Sequence, residues 1–436
     1  MSTPTTRRDF LKTGTALTAT ALATPSLNVL GANEKIVLGI IGPGGMGSNL
    51  LGSFVNMPDV DIAWVCDVDT NRMNVAAKGV EKFTNRLPKT TQDLRRILED
   101  KSVDAVLIAT PDHWHAPATI LACDAGKHVY VEKPAAHNIR EGRLMIETAR
   151  RTNRIVQVGT QSRSAEHVQR AIQLLHEGAI GDIISAKVWN SQLRRNIGKA
   201  QPTTPPANLD YDTWIGPAPM LPYQPNFLHA NWRWFFNFGT GDMGNDGVHD
   251  IDIGRWGLGV TTHPSRICAL GGKWFFDDDQ QFPDTQTVLF EYHLPAGKRK
   301  QLLFEQRIWS PYVQEGHENG NAWYGTKGML ILGKGKGWEL YGPRNELKEK
   351  MAATTPLGPS HHRNFLECIK SSKLPNADIE IGHLSASLCH LGNISVRVAR
   401  ELRFDPAKEQ ILNDPEANAL TRRQYRENHW AVPKGV

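Results

Sequence analysis

Three groups of residues in this sequence have types and spacings suited to chemistry. Gly42-Pro43-Gly44-Gly45-Met46-Gly47 is a GxGxxG run between a short apolar stretch, residues 35–41, and a helix-like stretch from about Ser48. In that setting the first glycine makes a tight turn, the second admits backbone to a pyrophosphate, and the third lets the helix pack close to the strand. Free N–H groups at the helix start favour an anion. Asp67 closes a second apolar run, residues 60–66, twenty positions after Gly47. An acid there accepts hydrogen bonds from ribose hydroxyls and repels a 2′-phosphate, so NAD is favoured, while Arg72 leaves NADP open. The second group is Glu132-Lys133-Pro134 at the end of a strand-like run. A lysine there can hydrogen-bond a substrate hydroxyl, or the alkoxide formed on its oxidation. The third is a glycine-rich stretch, residues 238–252, that carries His249 and Asp252 into a helix. Histidine suits proton transfer because its unperturbed pKa lies near 6.5. The plainer reading is an acid cluster capping a helix beside a structural histidine.

Repeated strand–helix units must position these groups. Residues 35–41, 60–66, 103–109 and 128–131 read as strands buried on both faces, with helices over residues 91–100 and 116–125. Thr110, Pro111 and the residues up to His115 read as a loop at a strand's carboxyl end, where ligands bind in open α/β sheets. The alternation implies a doubly wound parallel sheet. Residues 155–161 read as a further strand and 165–177 as a helix; 183–189 opens a second sheet, continued at 287–293, 301–307 and 329–332. Residues 202–225 are proline-rich and read as a surface or active-site loop, which could cover the cofactor. Residues 231–236 gather aromatics around Arg233, which suits a sugar ring or an ordinary core. A helix at 363–370 is expected to return to the first domain. The expected domains are an export signal at 1–33, a dinucleotide-binding domain at 34–156 and a substrate and oligomerisation domain at 157–436.

Bulk properties narrow the function class. The chain has 436 residues, 40% hydrophobic and 22% charged, with a formal charge of +5, which is a globular composition. Part of the positive charge sits in Arg7, Arg8 and Lys12, and the near-balanced remainder argues against nucleic-acid binding. No apolar run beyond the N-terminus reaches the length of a membrane span. The five cysteines, Cys66, Cys123, Cys268, Cys368 and Cys389, are scattered without CxxC and read as small core residues. Arg7-Arg8-Asp9-Phe10-Leu11-Lys12, ahead of a mildly apolar stretch, resembles a twin-arginine export signal, with cleavage sites offered at Ala21, Ala23 or Ala32. The expected location is periplasmic or otherwise extracytoplasmic. His113, His115, His361 and His362 lack acidic partners at metal-ligand spacing, so no metal is expected.

Thr110-Pro111 with His115 a few residues on, then Ala-Gly-Lys-His-Val at 125–129 and Glu132-Lys133-Pro134, resemble the glucose–fructose oxidoreductase / inositol dehydrogenase family, Gfo/Idh/MocA. The resemblance runs over nearly all of the chain after the signal. It implies a Rossmann domain followed by an α/β domain on a large, mainly antiparallel open sheet, a cofactor crevice between them, and dimers or tetramers. It implies Lys133 beside the nicotinamide, and Glu132 on the cofactor ribose or positioning the lysine. His249 and Asp252 match the family's His-x-x-Asp, in which the histidine abstracts the substrate hydroxyl proton. Gly42, Gly44, Gly45, Met46, Gly47, Asp67, Arg72, Thr110, Pro111, His115, Glu132 and Gln161 are then expected at the cofactor, and Arg163, Trp232, Arg233, Asn245 and Asp246 at the substrate. The sequence departs from the family at Asn245, where many members carry an aspartate four residues before the histidine; Asp246 is one residue out of register.

The leading expectation is hydride transfer between a sugar or polyol carbinol and tightly held NAD or NADP. A competing one is a glycosidase or lyase that oxidises its sugar transiently, with no net redox. A third is a non-catalytic sugar-binding protein.

Overall fold

Short, β-branched runs that bury both faces build the first sheet. In the computed structural model, which describes residues 35–436, the chain begins β1 (Ile36–Ile41), α1 (Met46–Phe54), β2 (Val60–Cys66), α2 (Thr70–Thr84), β3 (Lys89–Thr91), α3 (Arg95–Glu99), β4 (Ala105–Ile108), α4 (Asp112–Asp124), β5 (His128–Val131), α5 (Ile139–Thr152) and β6 (Val156–Val158). The six strands are parallel, in the order β3-β2-β1-β4-β5-β6. The chain reverses direction between β1 and β4, so a crevice opens there at the strands' carboxyl ends. The export signal expected at residues 1–33 lies outside the described residues.

Three expectations change here. Residues 91–100 hold the end of an edge strand and only the short α3. The stretch expected as a loop up to His115 is mostly helix, because Pro111 sits in an extended conformation and α4 starts directly after it. Pro117 lies inside α4 and cannot donate to His113 O; that carbonyl accepts instead from Arg423 Nη2 at 2.8 Å. The strand expected at 155–161 is confined to β6, which pairs with β5 and completes the first sheet.

The chain continues through α6 (Glu166–His176), β7 (Ile183–Ser191), α7 (Tyr211–Ile215), α8 (Val248–Leu258), β8 (Arg266–Gly272), β9 (Thr285–His293), β10 (Arg299–Arg307), β11 (Asn319–Gly325), β12 (Met329–Gly333), β13 (Gly337–Gly342), β14 (Glu346–Ala352), α9 (Leu357–Ser371), α10 (Ile379–Val398), β15 (Leu402–Asp405), β16 (Gln410–Ile411) and α11 (Pro415–Ala419). The second sheet has ten strands, β14-β13-β12-β11-β7-β10-β9-β8-β15-β16, antiparallel except for β7 with β10. The expected fold class, a parallel Rossmann sheet plus a large, mainly antiparallel sheet, is what the molecule shows. The cysteines form no disulfide, and four are buried; Cys268, expected in the core, is exposed because it points to the outer face of β8. No helix of the described residues is long and apolar enough to cross a membrane.

The element that matters most for the site is α8. It is buried on nearly every side, and it lies on β7 and β11 because two of its residues have no side chain. A Cβ at Gly254 would overlap the Val188 side chain at 2.5 Å, and one at Gly257 would run into the Trp323 indole. The start of the helix is further fixed by a turn of π-helix over Met243–Gly247, a local irregularity frequent at functional sites. Gly257→Ala therefore sets two effects against each other. Alanine favours a helix by about 1 kcal/mol over glycine, but overpacking costs about 1–3 kcal/mol. Net destabilisation is expected in chemical denaturation; a more stable variant would show that α8 does not depend on this close approach.

Candidate functional site

The crevice at the carboxyl ends of β1, β2, β4 and β5 is lined at one end by Gly42, Gly44, Gly45, Met46, Asp67 and Arg72. Gly42 has φ 80°, open to glycine at little cost. A side chain at Gly47 would run into Gly42 O, so this glycine serves helix packing. The Arg72 guanidinium occupies the space that a side chain at Gly44 would need, placing a cation over the loop and the N-terminus of α1. Asp69 caps α2 by accepting from the N–H groups of Asn71 and Arg72. Burial raises the Asp67 carboxyl to about 6, opposed by the Asp69 N–H and the Arg72 charge. Thr110 and Pro111 line the middle of the crevice, and Thr110 Oγ1 is buried without a partner. The open glycine turn, the Arg72 cation over it, the Asp67 carboxyl in the same crevice and an unsatisfied hydroxyl fit a dinucleotide.

The segment 202–225, with α7 inside it, docks on this end. Thr70 N–H donates to Asn208 O at 3.0 Å, Asp210 N–H to Val68 O at 2.9 Å, and Asn208 Nδ2 to Asp69 Oδ1 at 2.9 Å. Leu209, Thr213 and Trp214 thereby become walls of the crevice. Trp214 O accepts from Trp114 Nε1 at 3.1 Å and from His113 Nε2 at 3.0 Å, so the segment is tied to α4 as well.

Lys133 and Glu132 line the opposite end with Asp112, Trp232, Arg233 and Asn245. Lys133 Nζ donates to Asn245 O at 2.6 Å and to Asn245 Oδ1 at 3.4 Å, with no carboxylate of the described residues at hydrogen-bond distance. Burial lowers its pKa, which Glu132 opposes. Glu132 is raised to about 7, chiefly by burial, and Oε2 accepts from the Lys133 N–H at 3.2 Å. Arg233 crosses the Trp232 ring, its guanidinium carbon 4.5 Å from the centroid, and donates to Asn245 Oδ1 at 2.9 Å. Gly239 lets this turn pack, because a Cβ there would meet the Arg233 backbone at 2.5 Å. His249, in the first turn of α8, is held well below its ordinary pKa by burial and then by the charges of Lys133 and Lys334. Its ring makes no hydrogen bond among the described residues.

Five expected site residues have other work. Asp252 is buried and accepts from Arg163 Nε at 2.7 Å, Arg163 Nη2 at 3.0 Å and Ser385 Oγ at 2.6 Å. It is a structural ion pair, and Arg163 is consumed by it instead of reaching a substrate. Gln161 stands behind Glu132, its Nε2 3.2 Å from Tyr130 Oη and 3.4 Å from Glu132 Oε1. His115 lies within α4 between Pro134 O at 2.7 Å and Thr110 O at 3.0 Å, bracing the crevice wall from behind. Asp246 accepts from Asn319 Nδ2 at 2.8 Å and from Gln192.

His113, His361 and His362 are engaged by carbonyl or hydroxyl groups, not by acids. The His263, His383 and Glu409 side chains do converge, but as hydrogen bonds: Glu409 Oε1 accepts from both Nε2 atoms, at 2.8 and 2.7 Å, and from Arg143 Nη2 at 2.5 Å. Sequence reading missed Asp69, Leu209, Thr213 and Trp214. Only Asp69, an acid at a helix start, left a local signal.

The sequence matches the family described as "Oxidoreductase family, NAD-binding Rossmann fold" over residues 36–160. It matches "Oxidoreductase family, C-terminal alpha/beta domain" over residues 187–274 and 330–432. A glycosyl hydrolase family 109 protein of Saccharopolyspora erythraea is 33% identical over 158 residues, covering 35% of this chain and 34% of the relative. A levoglucosan dehydrogenase of Pseudarthrobacter phenanthrenivorans is 28% identical over 201 residues, covering 46% and 43%. The alignments thus span about a third to a half of these curated relatives. Among solved structures, the aldose–aldose oxidoreductase of Caulobacter crescentus complexed with glycerol has a TM-score of 0.65 at 17% identity, covering 85% of this chain and 100% of that one. A levoglucosan dehydrogenase complexed with NADH and levoglucosan has a TM-score of 0.63 at 19% identity, covering 88% and 100%. At these identities the structural likeness is one of fold.

The position of Asp67 generates a test. An ionised carboxylate accepts from hydroxyl groups much more strongly than a protonated one, and the raised Asp67 value of about 6 sets the window for a ribose bound there. Lowering the pH through about 6 should weaken NAD by roughly tenfold or more, in keeping with about 1.5–3 kcal/mol for hydrogen bonds to a charged group. Asp67→Ala should weaken NAD more than NADP and flatten the pH dependence. Calorimetric titration with both dinucleotides checks this; an unchanged preference would remove Asp67 from the ribose.

Proposed function

The chain belongs to the Gfo/Idh/MocA oxidoreductase family, and on that premise we propose that it transfers hydride between a sugar or polyol carbinol and a retained dinucleotide, NAD in preference to NADP. The observation that carries this reading is Lys133 in the wall of a dinucleotide-shaped crevice, bonded among the described residues to Asn245 alone, with His249 on the first turn of α8 close enough to feel its charge. Bound NAD supplies the hydride acceptor. Lys133 donates a hydrogen bond to the reacting hydroxyl and stabilises the alkoxide as it forms. His249, kept neutral, takes the hydroxyl proton. Asn245 holds Lys133 and Arg233 in place through its carbonyl groups. Trp232 offers an apolar face for a sugar ring.

The site residues expected at the cofactor support retention. The 202–225 segment closes over the Asp67 end, and the basic N-terminal segment supports export by the twin-arginine route to the periplasm, with folding and loading beforehand. Free NAD is scarce there, so the redox state of the cofactor has to be restored in place. A second sugar as acceptor would do this. So would a cycle that oxidises a sugar hydroxyl, eliminates the glycosidic substituent, adds water and reduces again, without net redox. The relatives named as glycosyl hydrolases favour weighing this second reading. Leu270, Leu289 and Cys268 on the exposed face of the second sheet support a homo-oligomer, dimer or tetramer.

Lys133→Met and His249→Ala should each reduce single-turnover nicotinamide reduction by at least about 100-fold, the scale of acid–base and oxyanion contributions, while dinucleotide still binds. Stopped-flow absorbance across a panel of sugars and polyols measures this. Near-normal rates in either variant would place the chemistry elsewhere.

A further inference from the structure

Lys334 occupies the hairpin 333–337 between β12 and β13, and its backbone carbonyl accepts from His167 Nε2 on α6 at 2.9 Å. From this anchored turn its ammonium reaches the start of α8, 2.6 Å from Asp250 Oδ2 and 3.7 Å from Asp246 Oδ1. These two carboxylates flank His249 in the chain. The remaining oxygens are also committed: Asp246 Oδ2 accepts from Asn319 Nδ2 at 2.8 Å and from Gln192 Nε2, and Asp250 Oδ1 accepts from Asn321 Nδ2 at 3.3 Å. Neither acid bonds the imidazole between them.

We propose that Lys334 is a positioning residue for His249: it draws both neighbouring carboxylates to itself and so leaves the imidazole a neutral base with both ring nitrogens free for substrate. The proposal rests on the reading of His249 as the proton acceptor. The charged and titratable groups facing His249 are Lys133 from the end of β5, Lys334 from the hairpin, His361 from α9 and Asp246 from its own turn. Asp246 in turn faces Lys133 and Arg194, and Lys334 also faces Asp242. Lys133, Lys334 and His361 disfavour the imidazolium, and Asp246 alone among them favours it. Loss of Lys334 acts twice in one direction. It removes a positive charge and releases Asp246 to accept from the ring, and both changes raise the pKa of His249.

The test follows histidine side-chain resonances of the holoprotein by NMR against pH, with the His249 signal identified by its loss in His249→Asn. In Lys334→Met the His249 midpoint should rise by about one pH unit, at the lower end of the effect of an opposite charge within a few ångströms. The imidazolium-to-imidazole ratio at a given pH then grows about tenfold. Lys334→Arg should keep the wild-type midpoint, and Asp246→Asn in the Lys334→Met background should cancel the rise. The acid limb of nicotinamide reduction should move up with the midpoint, so the rate loss closes as the pH rises. Should Lys334→Met not fold, Lys334→Gln gives the same reading. An unmoved midpoint in a folded variant overturns the proposal. A raised midpoint with an unmoved acid limb upholds the action of Lys334 and instead removes His249 as the proton acceptor.

Discussion

The buried ion pair between Arg163 and Asp252 holds the functional end of this molecule together. Both groups are almost wholly out of water, a state that is tolerable only when charge and hydrogen-bond capacity are matched. The match comes from three directions: the turn after β6 supplies Arg163, α8 supplies Asp252 and Arg255, and α10 supplies Ser385. Any slip of α8 along the sheet would break this set and leave a charge unpaired. The register of the helix is therefore determined three residues beyond His249, and the glycines at 254 and 257 let it settle at the depth this register requires.

The same economy of buried charge shapes the crevice. Lys133 reaches only amide oxygens of Asn245, Arg233 is directed to the same residue, and the nearby acids Asp112 and Glu132 are pushed by burial to about 7. Among the described residues, protein carboxylates thus do not bond the Lys133 ammonium, which keeps its charge for the oxyanion role proposed for it. At the far end, the segment 202–225 turns an open switch-point crevice into a covered one. Its backbone bonds to the β2–α2 corner make the cover part of the cofactor site.

Much of this was legible because the signals are local. The glycine loop, Asp67 and Glu132-Lys133-Pro134 each sit at a strand end, and period and punctuation place strand ends well. His249 follows a glycine-rich entry that was equally visible. Misreadings arose where the partner lies far along the chain. Nothing near Asp252 announces Arg163, 89 positions away, or Ser385, 133 positions away, so a structural acid looked catalytic. His115 looked like a loop residue because the extended Pro111 starts α4 earlier than the apolar pattern suggests. Lys334, in a Gly-Lys-Gly-Lys-Gly hairpin, reads as a solvated turn until the sheet carries it to α8.

Retention of the dinucleotide is the claim on which the proposed function turns, since the proposed export requires chemistry that closes its redox cycle on one bound cofactor. Mass-spectrometric quantification of dinucleotide in exhaustively dialysed native protein, paired with an assay without added cofactor, tests it most directly. The account predicts close to one dinucleotide per chain and undiminished turnover. Protein that dialyses empty, and turns over only when NAD is supplied at millimolar concentration, would contradict it.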